Sequence, residues 1–146
     1  MTLRAFALVP GIATGPVRAL TEPVSFWGGY DATTGRIIDR WHPQHGVSCA
    51  GHVLVMSASR GSSSGSSVLA EALRAGFGPR GFVLIERDAI LTVGVMVARE
   101  LYGVACPIAI ADPADWPALC AARSISIRAE GEDALITLDE AEPAAS

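Results

Sequence analysis

Residues 57–67, SASRGSSSGSS, crowd hydroxyl groups and glycines around Arg60, directly after the apolar run HVLVM at 52–56. A Gly/Ser segment between a strand signal and a helix signal aims several backbone N–H groups at one point, at the positive end of the helix dipole. Such a place binds anions, and it lowers the cost of a serine losing its proton. The segment is therefore a tether, a phosphate cradle or a place where a serine does chemistry. A phosphate-binding P-loop needs G-x-x-x-x-G-K-[ST], and no lysine follows here; all 11 cationic residues of the chain are arginine. Gly61, Ser63 and Gly65 satisfy G-x-S-x-G formally. A hydrolase triad, however, needs an acid and then a histidine downstream, and the last histidine is His52. Walker-type nucleotide binding and hydrolase chemistry are both excluded.

Two further constellations precede the serine loop. In SFWGGYD at 25–31, Phe26 and Trp27 stand beside Gly28 and Gly29. Large rings next to residues that let a backbone come close suit a ligand site. They suit equally a loop pinned onto a core by its aromatics. In IIDRWHPQHG at 37–46, His42 and His45 lack a third ligand at a supporting spacing, and Pro43 between them favours a loop. A hydrogen-bonding loop or a subunit contact is the better reading. Asp39 and Arg40 read as a solvated or ion-paired couple. Cys49, Cys106 and Cys120 lie far apart with no C-x-x-C, so they form neither a disulfide framework nor the ligand set of a zinc or iron–sulfur site. They read as reduced, mostly buried thiols in a chain that holds no metal of its own.

These residues need elements to position them. RAFALV (4–9) reads as a strand, PGIATGP (10–16) as a turn region and VRAL (17–20) as a second strand. EPVSFWGGYDATTGRIIDR (22–40) reads as a long ordered loop ending in a short strand RIID, followed by the loop WHPQHG and the buried strand HVLVM. Beyond the serine loop, SVLAEALRAG carries Val68, Leu69, Ala72 and Leu73 on one helical face and stops at Gly76. GFVLIE (81–86) is a short buried strand. DAILTVGVMVARELYG (88–103) is a helix with Asp88 as N-cap and Gly103 as stop, apolar nearly all round. Such a helix is buried in a core or against another chain. PIAIA (107–111) is strand-like, DPADWPALCAA (112–122) a short helix, and SISIRA and ALITL a late β pair. The tail DEAEPAAS (139–146) is expected to fray. The pattern describes one α/β domain over 1–146, a compact β/β/α arrangement with a mixed sheet.

Composition bounds the function. With 146 residues, the chain supports a single core. Half its residues are apolar, only 18% are charged, and mean hydropathy is +0.37, more apolar than a typical soluble domain. A partner covering part of the surface accounts for the excess. The net charge of −4, with scattered arginines, argues against a nucleic-acid partner, whose recognition needs clustered cations. The opening apolar stretch is broken by Pro10 and Gly11, a poor signal peptide, and AILTVGVMVA (89–98) is too short to span a bilayer. A soluble, cytoplasmic protein without membrane contact is expected.

PVSFWGG (23–29), GRIIDRWHP (35–43) and SRGSSSGS (59–66), in this order, resemble motifs of the small swivelling domain of the aconitase X family. The likeness runs through ERDAILTVGVMVARELYGVACPIAI and covers residues 8–113. It implies an aconitase-swivel-like fold and a hydro-lyase small subunit, inactive without an aconitase X large subunit. That partner would hold an iron–sulfur cluster, and this chain none. It also implies dehydration of a small hydroxy acid: cis-3-hydroxy-L-proline in bacterial members, phosphomevalonate in archaeal ones. An Ala- and Arg-rich, lysine-free composition favours the first. The corresponding loop of the aconitases is G-S-S-R with its first serine as general base, which carries onto Ser62, with Ser63 and Ser64 following. Arg60, Gly61, Ser63, Ser64, Phe26, Trp27, Gly28 and Gly29 are then expected at the substrate.

The chain departs from the family at Ser59, where glycine is common, and at Trp41, where a polar residue is usual. Ser64 stands where the aconitases have arginine, so Arg60 or the partner would have to hold a substrate carboxylate. PGIATGPV (10–17) also resembles the opening of phosphohistidine swivelling domains, a carrier reading that the histidine-free serine loop disfavours. A regulatory domain that has lost its catalytic partner is a third reading.

Overall fold

The computed structural model describes residues 1–140, and its centre is a seven-stranded closed barrel. The strands are β1 (Thr2–Val9), β2 (Gly11–Ala19), β3 (Val53–Val55), β4 (Gly81–Leu84), β5 (Ile108–Ile110), β6 (Ala122–Glu130) and β7 (Asp133–Glu140). Around the ring they run β1-β5-β4-β3-β2-β6-β7. β2, β3, β4 and β5 are mutually parallel, and the remaining pairings are antiparallel. The sheet is mixed, as expected, and pairing of Thr2 to Phe6 with Thr137 to Asp133 closes it into a barrel.

Of the residues PGIATGP, expected to turn, all but Pro10 are instead the first half of β2. Gly11 to Pro16 pair with Ala129 to Ser124 of β6, a contact more than a hundred residues away that overrides local turn preference. Pro16 is tolerated because pairing with β3 starts only at Val17. The short strand expected at RIID is reduced to single bridges, Tyr30 with Ile37 and Arg36 with Ser48. Of the tail expected to fray from 139, Asp139 and Glu140 complete β7, and 141–146 lie outside the described residues.

Side-chain alternation along the strands separates two cores. Val53, Val55, Val83 and Ala109 point into the barrel with Ile125, Ile127, Ile136 and several alanines. Small residues such as Ala7, Ala111, Ala129 and Ala134 suit so narrow an interior. Leu54, Phe82, Leu84 and Ile108 point the other way, under the helices. The central parallel strands are thus buried on both faces.

Two helices cover that outer face. α2 (Gly65–Ala75) and α3 (Ala89–Tyr102) end at Gly76 and Gly103, both in the left-handed conformation with φ of +86° and +67°. α1 (Phe26–Gly29) is a single irregular turn and α4 (Trp116–Ala121) a short helix behind a 3₁₀ turn. α3 buries Leu91, Gly94, Val95 and Ala98 and leaves Val93, Met96, Val97 and Leu101 exposed. Of the two burials expected for this apolar helix, in a core or against another chain, the core takes one face. No helix among the described residues is long and apolar enough to cross a membrane.

Gly94 lets α3 meet α2. A Cβ there would lie 2.8 Å from the Ser66 carbonyl oxygen and 3.1 Å from Leu69 Cβ. Gly94→Ala gains about 1 kcal/mol of helix propensity, but overpacking against a backbone atom costs about 1–3 kcal/mol. The expected result is a lower urea midpoint; an unchanged or higher midpoint would show slack between the helices.

Candidate functional site

Parallel in-register pairing puts the carboxyl ends of β2, β3 and β4 side by side: Ala19, Val55 and Val83 share one register line. The segments leaving those ends are the SFWGG turn, the serine loop and the lead into α3. In α/β folds, barrels and open sheets alike, the loops at the carboxyl ends of parallel strands are where ligands bind. The three motifs, distant in sequence, meet here.

Backbone contacts fasten them. Arg60 N–H donates to the Val24 carbonyl at 3.2 Å, and Ile38 N–H donates to the Gly29 carbonyl at 2.9 Å. Gly61 has φ of +91°, and a Cβ there would collide with the Ser25 hydroxyl. Gly65 is buried against Phe26 Cβ and Trp27 N, both 3.3 Å from where its own Cβ would be. These glycines therefore let two loops touch rather than loosen them. Ser25 Oγ in turn donates to the Trp27 carbonyl at 2.8 Å and closes the turn.

Two carboxylates complete the fastening. Asp88 is buried; its Oδ1 caps α3 by accepting Leu91 N–H at 3.0 Å, and its Oδ2 accepts both Ser59 N–H and Ser59 Oγ–H at 2.6 Å. Three donors offset the cost of burying the charge. Asp39 Oδ1 accepts Trp41 N–H at 2.9 Å, while Oδ2 faces Arg60 Nη2 at 3.3 Å. The ion pair thus joins Asp39 to Arg60 rather than to Arg40. Asp88 was legible in sequence as a helix cap, and its hold on a loop 29 residues away was not. For the Asp39–Arg60 pairing the sequence carries no local signal.

Ser62 sits where α2 begins. Its Oγ accepts Ser64 N–H at 3.1 Å, and its carbonyl accepts Gly65 N–H at 2.9 Å. The oxygen therefore lies in the turn that leads into α2, just ahead of its N-cap Ser64, with an N–H directed at it. Ser62, Ser63 and Ser64 are all exposed. Among the described residues only the Ser62 hydroxyl of these three makes a side-chain hydrogen bond. Of the residues expected at the substrate, Arg60, Gly61, Ser63, Ser64, Trp27 and Gly28 face outward. Phe26 and Gly29 do not: Phe26 is 1% exposed and stacks on Tyr30 at 4.6 Å between centroids, so it anchors the turn from below. His42 is likewise structural, with Nδ1 accepting from Gln44 N–H and Nε2 donating to the Glu22 carbonyl, both at 3.0 Å.

The larger surface concavities lie elsewhere. One groove of about 410 Å³ crosses the barrel wall and is lined by Ile12, Thr14, Ser126 and Leu135 among others, and one of about 460 Å³ lies beside Ala19, Thr21, Trp116 and Cys120. Neither contains a residue of the three motifs, and the chemistry-bearing loops take precedence over their size. The serine loop is an open platform, so a second surface is needed to exclude water from it.

An iron–sulfur cluster does not fit this chain's own donors. Among the described residues no group of three or more His, Cys, Asp or Glu side chains is placed to hold a metal. Cys49 and Cys106 are buried singly, and burial pushes the Cys49 thiol up to about 12 and Cys106 up as well, against the thiolate form a cluster needs.

A family model described as the aconitase X swivel domain matches residues 2–136. A cis-3-hydroxy-L-proline dehydratase of Hypocrea jecorina is 40% identical over 121 residues, which is 83% of this chain and 20% of that protein. The chain thus spans about a fifth of that relative's length. A phosphomevalonate dehydratase small subunit of Methanothermobacter thermautotrophicus is 39% identical over 88 residues, 60% of this chain and 67% of that protein. The crystal structure of Thermococcus kodakaraensis aconitase X in its holo-form superposes with a TM-score of 0.75 at 25% identity, covering 94% of this chain and 98% of that one.

Asp88→Ala removes a helix cap and strands both Ser59 donors. A loss of about 2–3 kcal/mol in unfolding free energy is expected, with faster amide exchange at Ser59; an intact exchange rate would show that the loop holds without Asp88. Cys120 is exposed whereas Cys49 and Cys106 are buried. A disulfide reagent at mildly alkaline pH should therefore titrate one thiol in the folded chain and three in denaturant. Rapid reaction of all three would contradict the packing.

Proposed function

The chain belongs to the aconitase X swivel-domain family, and on that premise we propose that it is the small subunit of a two-part cytoplasmic hydro-lyase, supplying Ser62 as general base. The observation that carries this reading is the meeting of three motifs at one sheet edge, with the Ser62 oxygen at the start of α2 and open to a second surface. The substrate in this reading is cis-3-hydroxy-L-proline, dehydrated to Δ1-pyrroline-2-carboxylate. Support for it is the 83% of the chain aligned at 40% identity with a dehydratase named for that compound. Separate-subunit organisation is supported by the archaeal relative, itself named a small subunit and of comparable length. The same relative makes phosphomevalonate the second reading for the substrate. Since this chain's cysteines do not fit an iron–sulfur centre, the reading places that centre on the large subunit.

In this reading the chain's own residues act as follows. Ser62 Oγ takes the proton from the carbon next to the one bearing the hydroxyl. That C–H electron pair becomes the new double bond as the C–O bond breaks and water departs. The leaving hydroxyl is the partner's responsibility. Serine is a weak base, so its alkoxide must be stabilised beforehand. A charge-assisted hydrogen bond from Ser64 N–H is worth about 1.5–3 kcal/mol and the helix N-terminus about 0.3–2 kcal/mol. Their sum changes the proton equilibrium by about one to four powers of ten. That alone leaves serine mostly protonated at neutral pH, so exclusion of water by the partner must supply the rest. Alone, the chain is inactive.

The test is Ser62→Ala in the chain reconstituted with its large subunit, both substrates being offered. A kcat reduced roughly 10²- to 10⁴-fold is expected. The substitution also removes the Ser64 N–H to Ser62 Oγ bond of the turn before α2, so turnover is compared at equal folded fraction. Retained turnover removes Ser62 from the role.

A further inference from the structure

We propose that Asp39 is a positioning residue that tethers Arg60 by one end of its guanidinium, so that the free edge receives the carboxylate of the hydroxy-acid substrate. The inference deepens the dehydratase reading above and rests on it. Three observations carry it. First, the Asp39 carboxylate is fixed by its own backbone: Oδ1 accepts Trp41 N–H at 2.9 Å and the Asp39 carbonyl accepts His42 N–H at 3.2 Å. Its segment is held in turn by Ile38 N–H on the Gly29 carbonyl at 2.9 Å. The anion is therefore preset before any ligand arrives. Second, Arg60 is the more exposed partner, 47% against 23%. Its guanidinium makes one polar contact among the described residues, from Nη2 to Asp39 Oδ2 at 3.3 Å. Of five N–H donors in a planar fork, an edge remains free to take a carboxylate through two parallel bonds. Third, Arg60 is one residue from Gly61 and two from Ser62, and its own N–H is pinned to the Val24 carbonyl. The cation is thus anchored at its backbone and at its tip, on the loop that carries the base.

The effect of the tether is entropic. An untethered arginine must be ordered by the ligand, whereas one already held by a fixed carboxylate arrives nearly ordered. Loss of the tether should therefore weaken substrate binding and leave the proton transfer alone. Asp39→Asn isolates the effect: the amide oxygen keeps the bond to Trp41 N–H, and its NH₂ group then faces the guanidinium donor to donor.

The experiment is steady-state kinetics on the reconstituted pair with each of the two hydroxy acids, for wild type, Asp39→Asn, Arg60→Ala and the double variant. In Asp39→Asn, KM is expected to rise roughly 2- to 10-fold, with kcat within about twofold of wild type. In the Arg60→Ala background the same substitution should change nothing further, because Asp39 acts only through Arg60. Arg60→Lys, which leaves Asp39 untouched, should raise KM as well, since a compact ammonium cannot hold Asp39 and grip a carboxylate bidentately. That variant answers the same point should Asp39→Asn not fold. A lowered kcat at unchanged KM, an unchanged KM, or an effect that persists in the Arg60→Ala background overturns the inference while the dehydratase reading stands. A wild-type pair that dehydrates neither acid overturns that reading, and the inference with it.

Discussion

Parallel register among β2, β3 and β4 is the constraint on which the site depends. Because these strands run the same way and pair residue for residue at Ala19, Val55 and Val83, their outgoing segments leave together. Antiparallel neighbours would have sent alternate segments to opposite ends of the barrel. Burial on both faces of β3 and β4 holds that register firmly, since a slip by one residue would turn Leu54 into the barrel and Val53 and Val55 under the helices. The precision needed at a hydroxyl is thus borrowed from apolar packing several residues away.

On this frame the loops are fixed by a division between glycine and carboxylate. Glycine at 61 and 65 brings the serine loop against Ser25 and Phe26. Asp88 then holds the loop's entry through Ser59, and Asp39 reaches its single cation. Each carboxylate also serves a backbone N–H of its own segment, so neither is free to wander. The serine-rich composition, which reads as slack, belongs to a loop with contacts at almost every backbone position from 57 to 67. The stretch from Arg60 to Ser64 is its longest run open to solvent.

Local signals were legible and long-range ones were not. α2 and α3 could be placed from apolar spacing, the Asp88 cap and the two stop glycines, because a helix is specified within its own span. The first half of β2 could not: Gly11, Thr14, Gly15 and Pro16 are turn-forming residues, and their strand exists only because β6 lies beside it. Phe26 and Trp27 look alike in sequence, yet one packs on Tyr30 and the other is 58% exposed. Which ring faces inward is decided by the irregular turn at Gly28, with φ of +80°. The family motifs located the site, whereas the Asp88–Ser59 and Asp39–Arg60 contacts join residues 29 and 21 apart and needed the fold.

Closure of the barrel has a bearing on how anything else can attach to this chain. Each of the seven strands has a hydrogen-bonded neighbour on either side, so among the described residues unpaired backbone is confined to partial stretches, such as residues 11–16 of β2 on the side where pairing with β3 starts only at Val17. Strand addition, a common route both to peptide capture and to fibrillar association, is thereby disfavoured. Recognition must proceed through side chains on helices and loops, where shape and chemistry discriminate more finely than a repeating backbone ladder. For a chain half of whose residues are apolar, that makes selectivity in assembly a property of the fold itself.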